Sequence, residues 1–376
     1  MTSGFIAPQY GQRSLSDVLP AVARALRVDD RVLAHGEVDW QLPEATSYVV
    51  FLIDGLGAEL LARHRQAAPY LASLLDRGTV GTAGVPSTTA TSLTSLGTAL
   101  PPGAHGLIGY SVRIPGTTQL LNHLKWDAPV DPSQWQPHPT VFSRLARAGV
   151  QVSAVNRRQF EDSGLTRVSQ SGARFVGADD LGERVAAAVA AAAQQPSLTY
   201  TYDSALDATG HKHGVASREW YAQLSAVDAE AEQLRAALPS STRLVVLADH
   251  GMVDCPPLAQ IDVDEVSELR EGVALMGGEA RFRHLYVAPG ALDDVVAIWR
   301  QTLMGKAEVL RREEAVARGW FGDVSEAATP RLGDVMVACR GNTGVFSSVD
   351  FPQEMKMVGL HGSLTSAEMS IPFLVD

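Results

Sequence analysis

Asp54, Asp207, His211, Asp249, His250 and His361 are the side chains whose types and spacing suit divalent-metal chemistry. Asp54 ends the apolar run Tyr48-Val-Val-Phe-Leu-Ile53, and Asp249-His250-Gly251 ends a second, Arg243-Leu-Val-Val-Leu-Ala248. Asp207 stands four residues before His211, behind the strand-like Leu198–Tyr202, and His361-Gly362 precedes a last apolar segment, Ile371–Val375. Ligands of open parallel sheets bind beyond the carboxyl ends of the strands, so runs that end this way collect their carboxylates at one edge. Carboxylates and imidazoles gathered there repel, or shift one another's protonation, unless a cation neutralises them. Singly, each piece has a plainer reading: Asp54 as a helix N-cap, Asp249-His250 as a surface turn, His361 as a loop histidine.

A nucleophile is available in the segment Val85–Leu96, which carries seven hydroxyl side chains in twelve residues and leads to Pro101-Pro-Gly-Ala-His-Gly106. Its plainer reading is an N-capped helix from about Thr88 with hydroxyls on a solvated face. A helix N-terminus also stabilises phosphate and alkoxide through free N–H groups and the dipole. A Thr hydroxyl is inert at neutral pH, but coordination to a divalent ion activates it; Thr88, Thr89 and Thr91 all qualify on position.

The elements that must position these groups alternate. Val150–Val155 is a further strand; Ala58–Arg65, Phe142–Ala148, Leu181–Ala193 and Trp220–Leu238 read as helices, the last with Trp220, Leu224, Val227, Ala231 and Leu234 on one stripe. The alternation implies an α/β fold, a doubly wound, mostly parallel central sheet with helices on both faces. From Cys255 the texture changes, with a turn at Gly277-Gly278, a strand at His284–Val287 and a helix at Leu292–Leu303. The expected organisation is a core of residues 1–254 and 346–376 with an inserted cap-like subdomain, 255–345.

The composition narrows the classes. At 45% hydrophobic and 19% charged the chain is globular, and a net charge of −11 opposes binding to a nucleic-acid polymer. Two Cys cannot build a disulfide framework. No apolar run approaches the ~20 residues of a membrane span, and Met1–Leu26 has no apolar core behind a basic start, so no membrane partner and a cytoplasmic location are expected. Oligomeric state leaves no mark in the sequence.

With these motifs in this order, the chain resembles the alkaline phosphatase superfamily on its nucleotide pyrophosphatase/phosphodiesterase branch. The resemblance rests on Asp54-Gly55, Pro86-Ser-Thr-Thr89 ahead of Pro102-Gly-Ala-His-Gly106, Asp207-x-x-Gly-His211, Asp249-His-Gly251 and His361-Gly362. It implies two divalent metal ions, zinc foremost, with manganese also admitted by mixed Asp/His ligation. Asp54, Thr89, Asp249 and His250 would hold one ion, and Asp207, His211 and His361 the other. It implies Thr89 as nucleophile, a phospho-threonine intermediate, and hydrolysis of phosphodiester or pyrophosphate bonds in small nucleotide-type substrates. Ser92 stands where the branch has an Asn on the phosphoryl oxygen, Ala90 where it often has an aromatic, and Tyr202 where relatives stack a nucleobase. The first two departures weaken the nucleotide assignment more than the hydrolase one. A phosphomonoesterase or phosphonate hydrolase on the same core is the alternative, for which Lys212, Arg157 and Arg158 are the candidate cations; a catalytically dead binding module is the alternative outside the enzymes.

Overall fold

The computed structural model describes residues 4–29 and 40–376. Its main sheet has seven strands: β1 (Ser47–Ile53), β2 (Thr79–Thr82), β3 (Gln151–Asn156), β4 (Arg174–Gly177), β5 (Ser197–Asp203), β6 (Thr242–Leu247) and, from the C-terminal end of the chain, Ser370–Val375. The spatial order is β2, Ser370–Val375, β6, β1, β5, β3, β4. β1 runs parallel to β5 and β6, and β3 parallel to β4 and β5; the C-terminal strand alone runs antiparallel to its neighbours. The continuous apolar run of β1 is explained by this position, since every residue from Tyr48 to Ile53 is fully buried.

Helices flank the sheet, as the alternation of elements requires: α1 (Leu15–Ala25), α2 (Thr89–Thr98), α3 (Leu181–Ala192), α4 (Ala205–His213) and α5 (Arg218–Ala237). The α/β, doubly wound, mostly parallel architecture expected from the sequence is the one observed. No helix of the described residues is long and apolar enough to cross a membrane.

α2 departs from the solvated hydroxyl face that its composition allows, because all ten of its residues are buried. Its hydroxyls find partners inside the protein. Thr94 and Thr98 donate to the carbonyls of Ala90 and Thr94, both at 2.7 Å, and Ser95 bonds His105 Nε2 at 2.9 Å. Gly97 lets the helix pass a neighbouring chain segment, since a Cβ there would lie 1.8 Å from the Ser169 carbonyl oxygen.

A second sheet of four strands, β7 (Val273–Glu279), β8 (Phe282–Val287), β9 (Ala307–Arg311) and β10 (Val335–Cys339), is ordered β7-β8-β10-β9 and wholly antiparallel. It builds its own small core with the helix Leu292–Thr302, around Trp299, Leu285 and Val337. Gly277-Gly278, expected as a turn, lies inside β7 opposite Arg283 and His284; the reversal falls at Ala280-Arg281. Glycine serves there because the Gly277 Cα passes close to the Ser111 carbonyl and Gly278 has φ +83°.

Candidate active site

The ends of β1, β5 and β6 deliver the site. Asp54 follows β1 directly, Asp249-His250 follows β6, and the loop after β5 opens α4, which carries Asp207 and His211 one turn apart. His361 arrives from the C-terminal segment ahead of the last strand. Glycines let these loops close up: Gly55 (φ +76°) lies against Asp207, and a Cβ on Gly251 would sit 2.0 Å from the Ala367 carbonyl oxygen.

The six residues form two clusters, Asp54 with Asp249 and His250, and Asp207 with His211 and His361, each with its ligand atoms within 4.8 Å of one another. All three imidazoles are oriented the same way. Nδ1 of His250, His211 and His361 donates to the carbonyls of Gly251, Gly359 and Ser87 at 2.8–2.9 Å, which leaves each Nε2 as a lone pair facing inward. His250 Nε2 lies 3.3 Å from Asp54 Oδ1 and 3.4 Å from Asp249 Oδ2. His211 Nε2 lies 3.4 Å from Asp207 Oδ2 and 3.2 Å from His361 Nε2.

The carboxylates are held by their outer oxygens. Asp249 Oδ1 accepts the backbone N–H groups of Gly55 and His250, at 3.1 and 3.0 Å, and the Tyr202 hydroxyl donates to Asp54 Oδ2. Asp54 Oδ1, Asp249 Oδ2 and Asp207 Oδ1 are buried with no hydrogen-bond partner. Burial first, then the charges of Asp249 and Asp207, raise the Asp54 carboxyl well above its usual range; burial also raises Asp249 and pushes His361 well below the usual imidazole value. Three orphaned carboxylate oxygens and two opposed imidazole lone pairs are costly, and a divalent cation in each cluster would satisfy all of them. The oxygen and nitrogen donor set suits zinc or manganese.

Thr89 begins α2, and its hydroxyl lies 3.2 Å from His250 Nε2. Thr91 is fully buried and does not line the site, and Thr88 is the N-cap. Two cavities of about 230 and 220 Å³ meet at Thr89, with Leu124 and Asp207 also common to both. The first is walled by Tyr110, Glu279, Gln353, Met357 and Leu360. The second is walled by Asn156, Phe160, Gln170 and Tyr202, where the rings of Phe160 and Tyr202 meet edge to face at 6.2 Å. Among the described residues, no Lys or Arg lines either cavity.

Ser92 lines neither cavity; its hydroxyl donates to the Asp249 carbonyl at 2.8 Å and so braces the loop that carries the ligands. Lys212 is exposed on α4, and Arg158 is exposed and paired with Asp179 and Glu183. Glu279, Asn156 and Gln170 were not legible as pocket residues in the sequence, because each reaches the site through tertiary pairing and none belongs to a strand-end motif.

A phosphate-ester hydrolase built on an alkaline-phosphatase-like sheet is the class that this fold and its twin donor clusters define. The chain belongs to the type I phosphodiesterase/nucleotide pyrophosphatase family, whose model matches residues 48–364. Similar solved structures include murine ectonucleotide pyrophosphatase/phosphodiesterase 5, at 19% identity over 87% of both chains with a TM-score of 0.70. An inactive variant of the murine protein was solved in complex with AMP. Phosphonoacetate hydrolase from Sinorhizobium meliloti 1021 is also similar, at 20% identity over 90% of this chain and 91% of that one, with a TM-score of 0.65. No curated protein matches the chain.

Proposed function

We propose that the chain hydrolyses phosphodiester or pyrophosphate bonds of small nucleotide-type substrates, with Thr89 as the nucleophile. The observation that carries this reading is the position of Thr89 at the junction of two cavities that no Lys or Arg of the described residues lines. A diester has two substituents to house and a single negative charge, whereas a monoester or a phosphonate dianion calls for cationic side chains on its extra oxygens. That contrast places the phosphomonoesterase and phosphonate readings second.

Asp54, Thr89, Asp249 and His250 would hold one divalent ion and Asp207, His211 and His361 the other, zinc being the first candidate. Bound there, such ions lower the pKa of a hydroxyl and neutralise phosphoryl charge. Asp249 and Tyr202 keep the first cluster rigid through the bonds to their outer atoms. The first-turn N–H groups of α2 have no intrahelical acceptor and would be free to bond the phosphoryl oxygens of a substrate at Thr89. Thr89 Oγ1 attacks phosphorus as the bond to the alcohol breaks; the Thr89 proton is lost to solvent and the alcohol leaves protonated from water. Water then attacks the phospho-threonine, the bond to Oγ1 breaks, and a monoester is released. Tyr202 and Phe160 offer aromatic surface for a nucleobase, and segment 255–345 contributes Glu279 and Ala280 to the wall of the first cavity.

The test compares bis-p-nitrophenyl phosphate with p-nitrophenyl phosphate on the zinc-loaded protein, the chelated protein and Thr89→Ala. Faster diester turnover, abolished by chelation and reduced by at least about 10³-fold in Thr89→Ala, is expected. Full activity in Thr89→Ala would overturn the nucleophile, and faster monoester turnover would overturn the diester reading.

A further inference from the structure

Ser87 stands two residues before Thr89, just ahead of α2, and is fully buried. Its N–H, carbonyl and hydroxyl all turn to residues 361–363, which reach it from the far end of the chain. The N–H donates to the Gly362 carbonyl at 3.1 Å, and the carbonyl accepts His361 Nδ1 at 2.9 Å. The hydroxyl donates to the Ser363 carbonyl at 2.6 Å and accepts the Gly362 N–H at 3.2 Å. One residue thus joins the segment of Thr89 to the segment of a donor histidine.

The two partners of the hydroxyl lie on either side of the Gly362 Cα. Gly362 has φ +130°, a conformation open to glycine and rarely to other residues, and glycine holds no backbone conformation by itself. Ser363 is also tied elsewhere, by its N–H to Glu368 at 3.0 Å and by its hydroxyl to the Cys339 carbonyl at 2.6 Å. Those bonds anchor the segment to its own surroundings, whereas Ser87 anchors it to the start of α2. Any residue except proline at position 87 can keep the two main-chain bonds, but the bridge across Gly362 needs a hydroxyl. Without it a buried N–H and a buried carbonyl lose their partner, and the backbone beside His361 must move or admit water to satisfy them. The imidazole of His361 moves with that backbone, and its Nε2 lies only 3.2 Å from that of His211.

We propose that Ser87 is a positioning residue, whose hydroxyl bridges Gly362 and so sets His361 against Asp207 and His211 before an ion enters the second cluster. This rests on the two-ion assignment above and not on the diester chemistry.

The test is zinc binding by the full chain, stripped with a chelator and titrated in competition with a chromophoric one. His211→Ala marks the affinity that belongs to the second cluster, and Asp249→Asn marks the first. Ser87→Ala is expected to weaken the second-cluster ion about tenfold or more and to leave the first within about twofold. Thr98→Ala, which removes another buried hydroxyl on α2 that bonds only the Thr94 carbonyl, is expected to leave both affinities in place. Weakening of both ions alike, of the first alone or of neither in Ser87→Ala overturns the proposal, as does an equal selective loss in Thr98→Ala. Should Ser87→Ala fail to fold, hydrogen exchange at the Gly362 amide of the wild-type protein decides the matter. Protection that survives removal of zinc is expected, because Ser87 holds that amide. Exchange that becomes about tenfold faster or more on chelation overturns the proposal, since the ion would then be what orders the segment. A wild-type chain that binds fewer than two zinc ions sinks the two-ion assignment together with this proposal, whereas two ions with an unselective Ser87→Ala effect sink this proposal alone.

Discussion

His250 and His361 stack face to face, with ring centroids 3.6 Å apart and planes 14° from parallel, and so join the two donor clusters into one unit. His250 comes from the end of β6 and His361 from a segment more than a hundred residues later, yet their Nδ1 atoms are both fixed by backbone carbonyls. The clusters are therefore held at a set separation by the main chain, and the outer atoms of the ligands determine how rigid that unit is.

Tyr202→Phe tests this rigidity. The hydroxyl donates to Asp54 Oδ2, so its loss leaves Asp54 with neither oxygen hydrogen-bonded while the buried ring still packs. Loss of such an outer partner is expected to weaken metal binding or turnover about 10–100-fold. Competition with a chromophoric chelator reads the first and bis-p-nitrophenyl phosphate the second; wild-type values on both would show that the contact is idle.

Most of the sheet was legible in the sequence, for a physical reason. β1, β5 and β6 are central strands buried on both faces, so each is an unbroken apolar or β-branched run stopped by a carboxylate. The same stops carry Asp54, Asp249 and, after the β5 loop, Asp207, which made the donor set legible too. What orients the imidazoles was not, because the carbonyls of Gly251, Gly359 and Ser87 are main-chain atoms with no residue signature. The burial of α2 was hidden by its composition, since Ser and Thr read as solvated until their partners, such as the Asp249 carbonyl, are seen. Glu279 was hidden for a further reason. Its place on the cavity wall is set by the β7–β8 turn, where Arg281 and Arg283 pair with Glu368 and Glu354, 87 and 71 residues away.

Glu368 ties the β7–β8 turn to the segment that carries His361. Its carboxylate accepts the forked Arg281 guanidinium, the Ser363 N–H at 3.0 Å and the Thr365 hydroxyl, and both charged side chains are fully buried. Glu368→Ala strands Arg281 as an uncompensated buried cation and is expected to cost about 3–5 kcal/mol in urea unfolding. A cost under about 1 kcal/mol would mean that the cation escapes to solvent and that the turn is not anchored by this pair.

Acid is expected to destabilise the fold before most carboxylates titrate, through buried histidines that belong to neither donor cluster. His123 and His284 are fully buried, and burial lowers them from the usual 6.5 to about 4 and about 3. His123 is held neutral by two bonds: Nδ1 donates to the Gly109 carbonyl at 2.7 Å, and Nε2 accepts from Trp135 Nε1 at 3.0 Å. Because the folded values lie below the unfolded one, the unfolded chain binds more protons between them. The stability tied to these rings is therefore complete above pH 6.5 and is lost as pH falls toward 4. Each ring contributes a slope approaching about 1.4 kcal/mol per pH unit in that window. Urea midpoints measured between pH 7 and pH 5 should fall accordingly, and His123→Gln should make the fall shallower, whatever it does to stability at pH 7. A flat profile over that range would show that both rings protonate without opening the fold.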